Sequence, residues 1–533
     1  MPKPNKKIIP ILVFIFLIAF FVFSIPNSKG SDNLAMVQMF EPDEGVCLPV
    51  VQNMIIPKSD FFTFLWKFVF YDFYSYGFPY FATSAVVLLP LQWLNQIQHT
   101  PLVMLVLRQM ISVFPMLVAL LLLVYIQDKF QTYRSILLFI FLLSVPAFIQ
   151  NGLWWHPDGL VLLLSVLVLF FLWKDNRQFS WRFFAASITC GVLVATKMVG
   201  VYFFLAIGMI LIWGWIEKKI SFKKLAALSA IFLLIMGISF IIANPFLLSE
   251  WARIGYFYTI RVETNELSQG YGLVYEKGLK EAWPIMHQFY GETIFLVISL
   301  LVSIWGIWKK QQRFLYALTL AWFFPLTVSL LVVTHFKYQY WLPVAIPLFS
   351  NLVMLLPQKI TELKSNIKSQ GIRILLLVIV LFQFVLFVRQ DISTLVGRTN
   401  RQENNPRIGF YDQAIGYLKP INSYEVNVYY DYRLYVPETS GWKIETTYDL
   451  LTYAYINEHK FDVLFLLESR IHDYLNPNAT GVDPIGLKES RMFYQDAEDG
   501  NISKYTLLFK NETARLYVLN ETCKKFLDVN ICN

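Results

Sequence analysis

Apolar runs of roughly 16–25 residues recur from Ile8 to Val388, and they constrain this chain more than any other feature. Runs of that length match the hydrocarbon thickness of a bilayer, and only helices or closed barrels can bury backbone there. Their spacing predicts a polytopic α-helical membrane domain. The 533 residues are 56% hydrophobic and 15% charged, against about 25% charged in soluble domains. The formal net charge of +8 is spread over short loops and forms no long basic stripe, so composition gives no sign of nucleic-acid binding. Four cysteines are too few for a disulfide-dense scaffold; Cys523 and Cys532 are close enough in sequence to pair if the C-terminus is outside.

Sidedness follows from Lys and Arg. Lys3, Lys6 and Lys7 precede the first run and predict a cytoplasmic N-terminus. "SIPNSKG" is a poor site for signal-peptide cleavage. The expected spans are 8–25, 102–126, 136–149, 160–173, 183–196, 198–216, 225–243, 293–308, 315–333, 341–356 and 374–388, about eleven in all. This count leaves "QDKFQTYR", "EKKISFKK", "KKQQRF" and "QKITELKSNIKSQGIR" inside, and it leaves "NGLWWHPDG", a long loop 244–292 and "THFKYQY" outside. The aromatic stretch "FLWKFVFYDFYSYGFPYFATSAVVLLPLQWL" is then an amphipathic juxtamembrane element, because a span there would reverse every basic loop.

The division expected is a transmembrane domain over 1–390 and an extracytoplasmic domain over 391–533, about the size of one ordinary domain. In the second, "YDQAIGYLK" and "YDLLTYAYINEHK" have helical periodicity, and "EVNVYYDY" and "FDVLFLLES" have the pattern of strands. "KYTLLFKNETARLYVLN" predicts a hairpin turning at Asn511-Glu512, so a small α/β fold is expected. The sequons at Asn478, Asn501, Asn511 and Asn520 all lie in this part, in agreement with an outer location.

With that topology, chemistry-bearing side chains collect on the outer face. Asp43 and Glu44 stand in the first outer loop, in "MFEPDEGVCLP", and His156 and Asp158 in the second. Lys197 tips a helical hairpin, and His335 and Lys337 precede Trp341. Carboxylates beside fixed cations suit transfer from a phosphate-linked donor: a carboxylate takes the acceptor's proton while cations hold the departing phosphate. Each residue also has an ordinary reading. Glu41 is expected to be a solvated loop charge, Pro157-Asp158-Gly159 is a good helix start, and Lys197 and Lys337 suit snorkelling helix ends. No close spacing of His, Asp and Glu predicts a metal site by itself, and no nucleotide-binding motif occurs.

Asp43-Glu44 after the first span resembles the acidic motif of the GT-C superfamily of polyprenyl-phosphate-sugar glycosyltransferases. The branch it is most similar to is that of protein O-mannosyltransferases and aminoarabinose transferases. "YSYGFPYFATSAVVLLPL" resembles that branch's juxtamembrane helix, and "FKYQYWLPVAIPL" its late "RY-LP-LP" segment, with His335 and Lys337 where Arg is common. "WWHPDGLVLLLSVLVLFFLWK" and "ITCGVLVATKMVGVYFFLAIGMILIWGW" resemble the landmarks between them, and the likeness runs in order over roughly residues 8–390. It implies a multi-pass protein of the plasma membrane or endoplasmic reticulum that performs inverting transfer on the outer face. The donor would be a polyprenyl- or dolichyl-phosphate sugar and the acceptor a protein, lipid or glycan. Asp43 would be the general base, with Glu44 and Asp158 at the reaction centre, and Lys197, His335, Lys337 and His156 would contact the phosphate. It requires no cofactor and leaves room for a divalent cation between Asp43 and Asp158. The competing class is a transporter or flippase of lipid-linked saccharide, which calls for ionisable or helix-breaking residues at mid-span and paired halves; this chain concentrates its charge at the outer ends.

Overall fold

The computed structural model describes residues 5–309, 312–357, 367–421, 424–448 and 450–526; Lys3 and Cys532 lie outside them. The chain divides into two compact units. The first comprises Met1–Ser28, Val50–Arg261 and Lys277–Thr399, and the second Lys29–Pro49, Val262–Glu276 and Asn400–Asn533.

The first unit is helical. Every expected span coincides with helix. Among the described residues six helices are long and apolar enough to cross a bilayer alone, including Ile8–Asn27, Phe222–Ala243 and Gly371–Thr399. Others are broken. The run 136–149 becomes Arg134–Leu143 and Pro146–Asn151, parted before a proline whose ring cannot continue a helix. The long span Thr100–Asp128 carries a π-helical turn at Arg108–Val113. The core is assembled from the inward stripes of these helices, with Trp322 stacked on Phe203 at 3.6 Å and Trp341 Nε1 donating to Thr327 Oγ1 at 2.8 Å.

Two expected loops are helices. The acidic first loop folds as Leu34–Phe40 and Pro42–Ile55, so Asp43 and Glu44 occupy the first turn of a helix, where the N-terminal dipole favours negative charge. The stretch 244–292 holds helices Glu250–Gln269 and Leu279–Tyr290, the latter turning by 84° into Thr293–Trp308. Gly291, with φ +104°, makes that corner in a backbone region L side chains rarely adopt. The aromatic stretch forms Phe61–Val69, which buries no side chain, and Phe78–Trp93, which buries Tyr80, Phe81 and Leu88.

The second unit carries a five-stranded sheet: β1 (Val426–Tyr430), β2 (Trp442–Glu445), β3 (Val463–Leu467), β4 (Tyr505–Lys510) and β5 (Ala514–Leu519). The strand order is β2-β1-β3-β5-β4. β1 is parallel to β2 and β3, and β5 is antiparallel to β3 and β4. Alternating side chains feed two cores: Val428, Phe465 and Leu516 pack on one face, Tyr429, Leu464 and Tyr517 on the other. The expected helices and hairpin are present; β2 and the helices Glu468–Leu475 and Pro484–Glu498 are additions to the pattern expected from sequence. The buried Arg515 engages Glu468 through Nε at 2.7 Å and Glu498 through Nη2 at 2.6 Å.

Candidate functional site

In the first unit the site is built around a buried carboxylate. Asp158 opens the helix Asp158–Asp175, just before the apolar run 160–173, and is 2% exposed. Lys197 Nζ donates to its Oδ1 at 2.6 Å, and His156 Nδ1 lies against its Oδ2. Burial alone would raise this carboxyl; the Lys197 ammonium and the His156 ring outweigh it and hold the group at about 2. His156 is equally enclosed. Its ring stacks on Trp154 at 4.1 Å, and Nε2 is 2.9 Å from the Tyr76 hydroxyl. A continuous polar line therefore runs Tyr76–His156–Asp158–Lys197.

Local backbone explains why these groups meet. The helix Trp181–Thr196 ends one residue before Lys197, which is extended and leads into a 3-10 turn at Met198–Phe203; this is the hairpin tip expected from sequence. Tyr76 reaches the tip because Gly77 has no side chain: a Cβ there would sit 1.5 Å from the Ala195 carbonyl oxygen. The loop before Asp158 is pinned by the π-turn, where Ser112 Oγ donates to the Trp154 carbonyl at 2.6 Å. A Cβ on Gly159 would meet the Ile111 carbonyl at 2.8 Å, so this packing too requires glycine.

Lys197 has a second neighbour. Its Nζ lies 4.2 Å from the centroid of the Tyr340 ring, and Lys337 Nζ is 5.9 Å from the same ring. One tyrosine thus brings two lysines from distant segments together. His335 lies in the same short connection as Lys337, between Arg313–Val332 and Tyr338–Ser350. Both Asp158 oxygens are engaged, Oδ1 by Lys197 and Oδ2 by His156.

Asp43 and Glu44 belong to the second unit. Asp43 is exposed; Glu44, one residue on, is wholly buried, which removes the solvated-loop reading for it. Glu41 is not a free loop charge either: its side chain is 15% exposed and lies 3.7 Å from Arg401 Nη1. The helix before Asp43 is fixed at the end of the sheet, with the Tyr430 hydroxyl donating to Gln38 Oε1 at 3.1 Å and Asn33 Nδ2 donating to the Tyr435 hydroxyl at 3.0 Å. Among the described residues Glu468, His472 and Glu498 also converge in the second unit, with ligand atoms within 4.8 Å of one another. Arg515 already pairs with both of those carboxylates.

Sequence inspection singled out Asp158, His156, Lys197 and Lys337, and the structure gathers these four. It passed over Tyr76, Tyr340 and Arg108. The last is wholly buried within an apolar span and donates to the Asn27 carbonyl at 2.9 Å, an expensive placement that composition alone flags.

No family model matches the chain, and no curated protein matches it. Among solved structures it is similar to the oligosaccharyltransferase AglB of Archaeoglobus fulgidus in complex with an inhibitory peptide and a dolichol-phosphate, at 13% identity and a TM-score of 0.45. That match covers 76% of this chain and 59% of AglB; an A. fulgidus oligosaccharyltransferase complex with Zn and sulfate matches at 12% identity and TM-score 0.41, over 75% of this chain and 56% of its own. This chain thus spans less than two thirds of the length of either. It is also similar, at 11% identity and TM-score 0.46, to ArnT of Cupriavidus metallidurans bound to undecaprenyl phosphate, over 96% of this chain and 97% of that one.

Proposed function

We propose that this multi-pass membrane protein is a GT-C glycosyltransferase that moves a sugar from a polyprenyl- or dolichyl-phosphate carrier to an acceptor on the outer face. The observation that carries the reading is the pair Lys197 and Lys337 on one tyrosine ring, with Lys197 braced by the buried Asp158. Two cations held in place at the ends of apolar helices are suited to a phosphate on a lipid whose tail stays in the bilayer. Asp43, exposed in the first turn of its helix, is the general base. It takes the proton of the acceptor nucleophile as that atom bonds to the anomeric carbon. The anomeric C–O bond to phosphate breaks on the opposite side, its electron pair leaves with the carrier phosphate, and configuration inverts. Asp158 is a positioning residue that aims Lys197, and His156, held between Tyr76 and Asp158, keeps that carboxylate oriented. The N-terminus is cytoplasmic and the second unit extracytoplasmic.

The test needs no knowledge of the sugar. Undecaprenyl phosphate, the leaving group itself, should bind the purified protein in nanodiscs. Lys197→Met and Lys337→Met should each weaken binding by roughly tenfold to a hundredfold, the worth of one charge-assisted contact at about 1.5–3 kcal/mol. Failure of the wild type to bind, or full affinity in both variants, would refute the reading.

A further inference from the structure

The sheet of the second unit has a topological switch point. From β1 the chain passes to β2 on one side, and from β2 to β3 on the other side of β1, both pairings parallel. In open sheets of this kind the crevice opens at the carboxyl ends of β1 and β3, whose connections leave in opposite directions, and that is the usual seat of a ligand. Tyrosines gather at that end, and Arg433 joins them with its guanidinium 5.8 Å from the Tyr432 ring centroid. Tyr432 follows β1 and Tyr448 follows β2, their rings 4.8 Å apart. Tyr271 and Tyr275, at 6.1 Å from each other, arrive on a segment strapped to the same unit by Val274 N donating to the Thr480 carbonyl and Val482 N to the Gly272 carbonyl.

These rings are held rigidly. Arg470, 5% exposed, donates to Asp431 Oδ1 at 3.1 Å and to the Thr447 carbonyl at 3.0 Å, so it ties the ends of β1 and β2 together. Its guanidinium lies 5.4 Å from the Tyr432 ring centroid. Tyr271 and Tyr448 nevertheless stay 37% and 43% exposed.

Asp43 belongs to this end. The Gln38–Tyr430 bond fixes the preceding helix at the last residue of β1, and a Cβ on Gly45 would meet Gln38 Cγ at 2.2 Å, so the turn bearing Asp43 folds back onto that anchor. The Tyr271 and Tyr448 phenols are both raised, first by burial; for Tyr271 the carboxylates of Glu263, Glu266 and Asp43 add to this, and for Tyr448 that of Asp43.

We propose that this tyrosine-walled crevice binds the acceptor, and that the acceptor is a neutral saccharide. Tyrosine faces carry negative quadrupole charge and meet the C–H faces of a pyranose, while their hydroxyls and the nearby carboxylates accept from its hydroxyl groups. Glu263, Glu266 and Asp43 around Tyr271 outnumber Arg433 beside Tyr432 and disfavour an anionic acceptor. This inference rests on the reading of Asp43 as base and adds the substrate class to it.

Saturation-transfer NMR on the full chain in nanodiscs tests it, with neutral trisaccharides of glucose, mannose and galactose as probes. A uronic-acid trisaccharide and a Ser/Thr-containing hexapeptide serve as the contrasting set. At least one neutral trisaccharide should show transfer, which falls at least tenfold in Tyr448→Ala and Tyr271→Ala and persists in Tyr448→Phe. Undecaprenyl phosphate binding, measured on the same samples, shows that each variant is folded and reports separately on the donor. Transfer to the hexapeptide or the uronate instead, no transfer to any neutral probe, or neutral transfer that survives both alanine variants overturns the acceptor assignment. With lipid phosphate still bound, such a result leaves the proposed reaction standing; loss of lipid-phosphate binding in the wild type removes the reaction and not the saccharide site.

Discussion

Removing Asp158 and Lys197 singly and together tests how the site is braced. Lys197→Met leaves the Asp158 carboxylate, only 3% exposed, with His156 as its remaining partner. Breaking a buried pair costs about 3–5 kcal/mol when the survivor is stranded, and the His156 contact brings the expected loss to about 2–3 kcal/mol. Asp158→Asn strands a lysine whose side chain is 20% exposed and already faces the Tyr340 ring, so about 1–2 kcal/mol is expected. The double variant strands neither charge. It should be more stable than the sum of the singles by about 1.5–3 kcal/mol, measured by reversible denaturant unfolding in mixed micelles. The pair should also behave predictably with pH. Asp158 titrates near 2 in the folded protein, below its ordinary 3.8, so its contribution is fully present above about pH 5 and is lost as pH falls through 2. Additive single effects, within about 0.5 kcal/mol, would show that the two side chains do not form this pair.

Two other expectations follow from the same packing. Gly77→Ala forces a methyl group against the Ala195 carbonyl and should destabilise by about 1–3 kcal/mol with weakened undecaprenyl phosphate binding. Gly208→Ala, which has open space within 4 Å, should be neutral or slightly stabilising; equal effects at both positions in thermal unfolding would contradict the close approach. For sidedness, Leu248→Cys should react with an impermeant maleimide in intact cells, and Lys223→Cys only after permeabilisation; the reverse pattern would invert the topology.

Much of the fold is legible in the sequence because bilayer thickness imposes a length that hydropathy shows directly. The placement of Lys197 at a hairpin tip follows from two adjoining apolar runs of similar length. The pairing with Asp158 does not, because nothing in either segment encodes the contact between them. Tyr76 is one of many aromatics in a juxtamembrane stretch, and only the approach permitted by Gly77 distinguishes it. The π-turn at Arg108–Val113 is silent, since one extra residue in a helical turn leaves hydropathy unchanged. Segment 29–49 has the composition of a solvated loop. Val37, Met39 and Glu44 are buried there, and Gln38 is tied to Tyr430 some four hundred positions away; a local pattern carries no trace of either. The second unit is legible where short apolar runs are bounded by turn-forming residues, as in β3 and β5. It is not at β2, four residues long between turn-forming segments.

The central claim is that Asp43 is the base in a transfer from lipid phosphate. Its most direct test is Asp43→Asn in nanodiscs with the cell's own lipid-linked sugar donors, following release of carrier phosphate and undecaprenyl phosphate binding side by side. The account predicts binding within about twofold of wild type and a loss of transfer of at least a hundredfold, the usual weight of a general base. Wild-type-like turnover in that variant would contradict it.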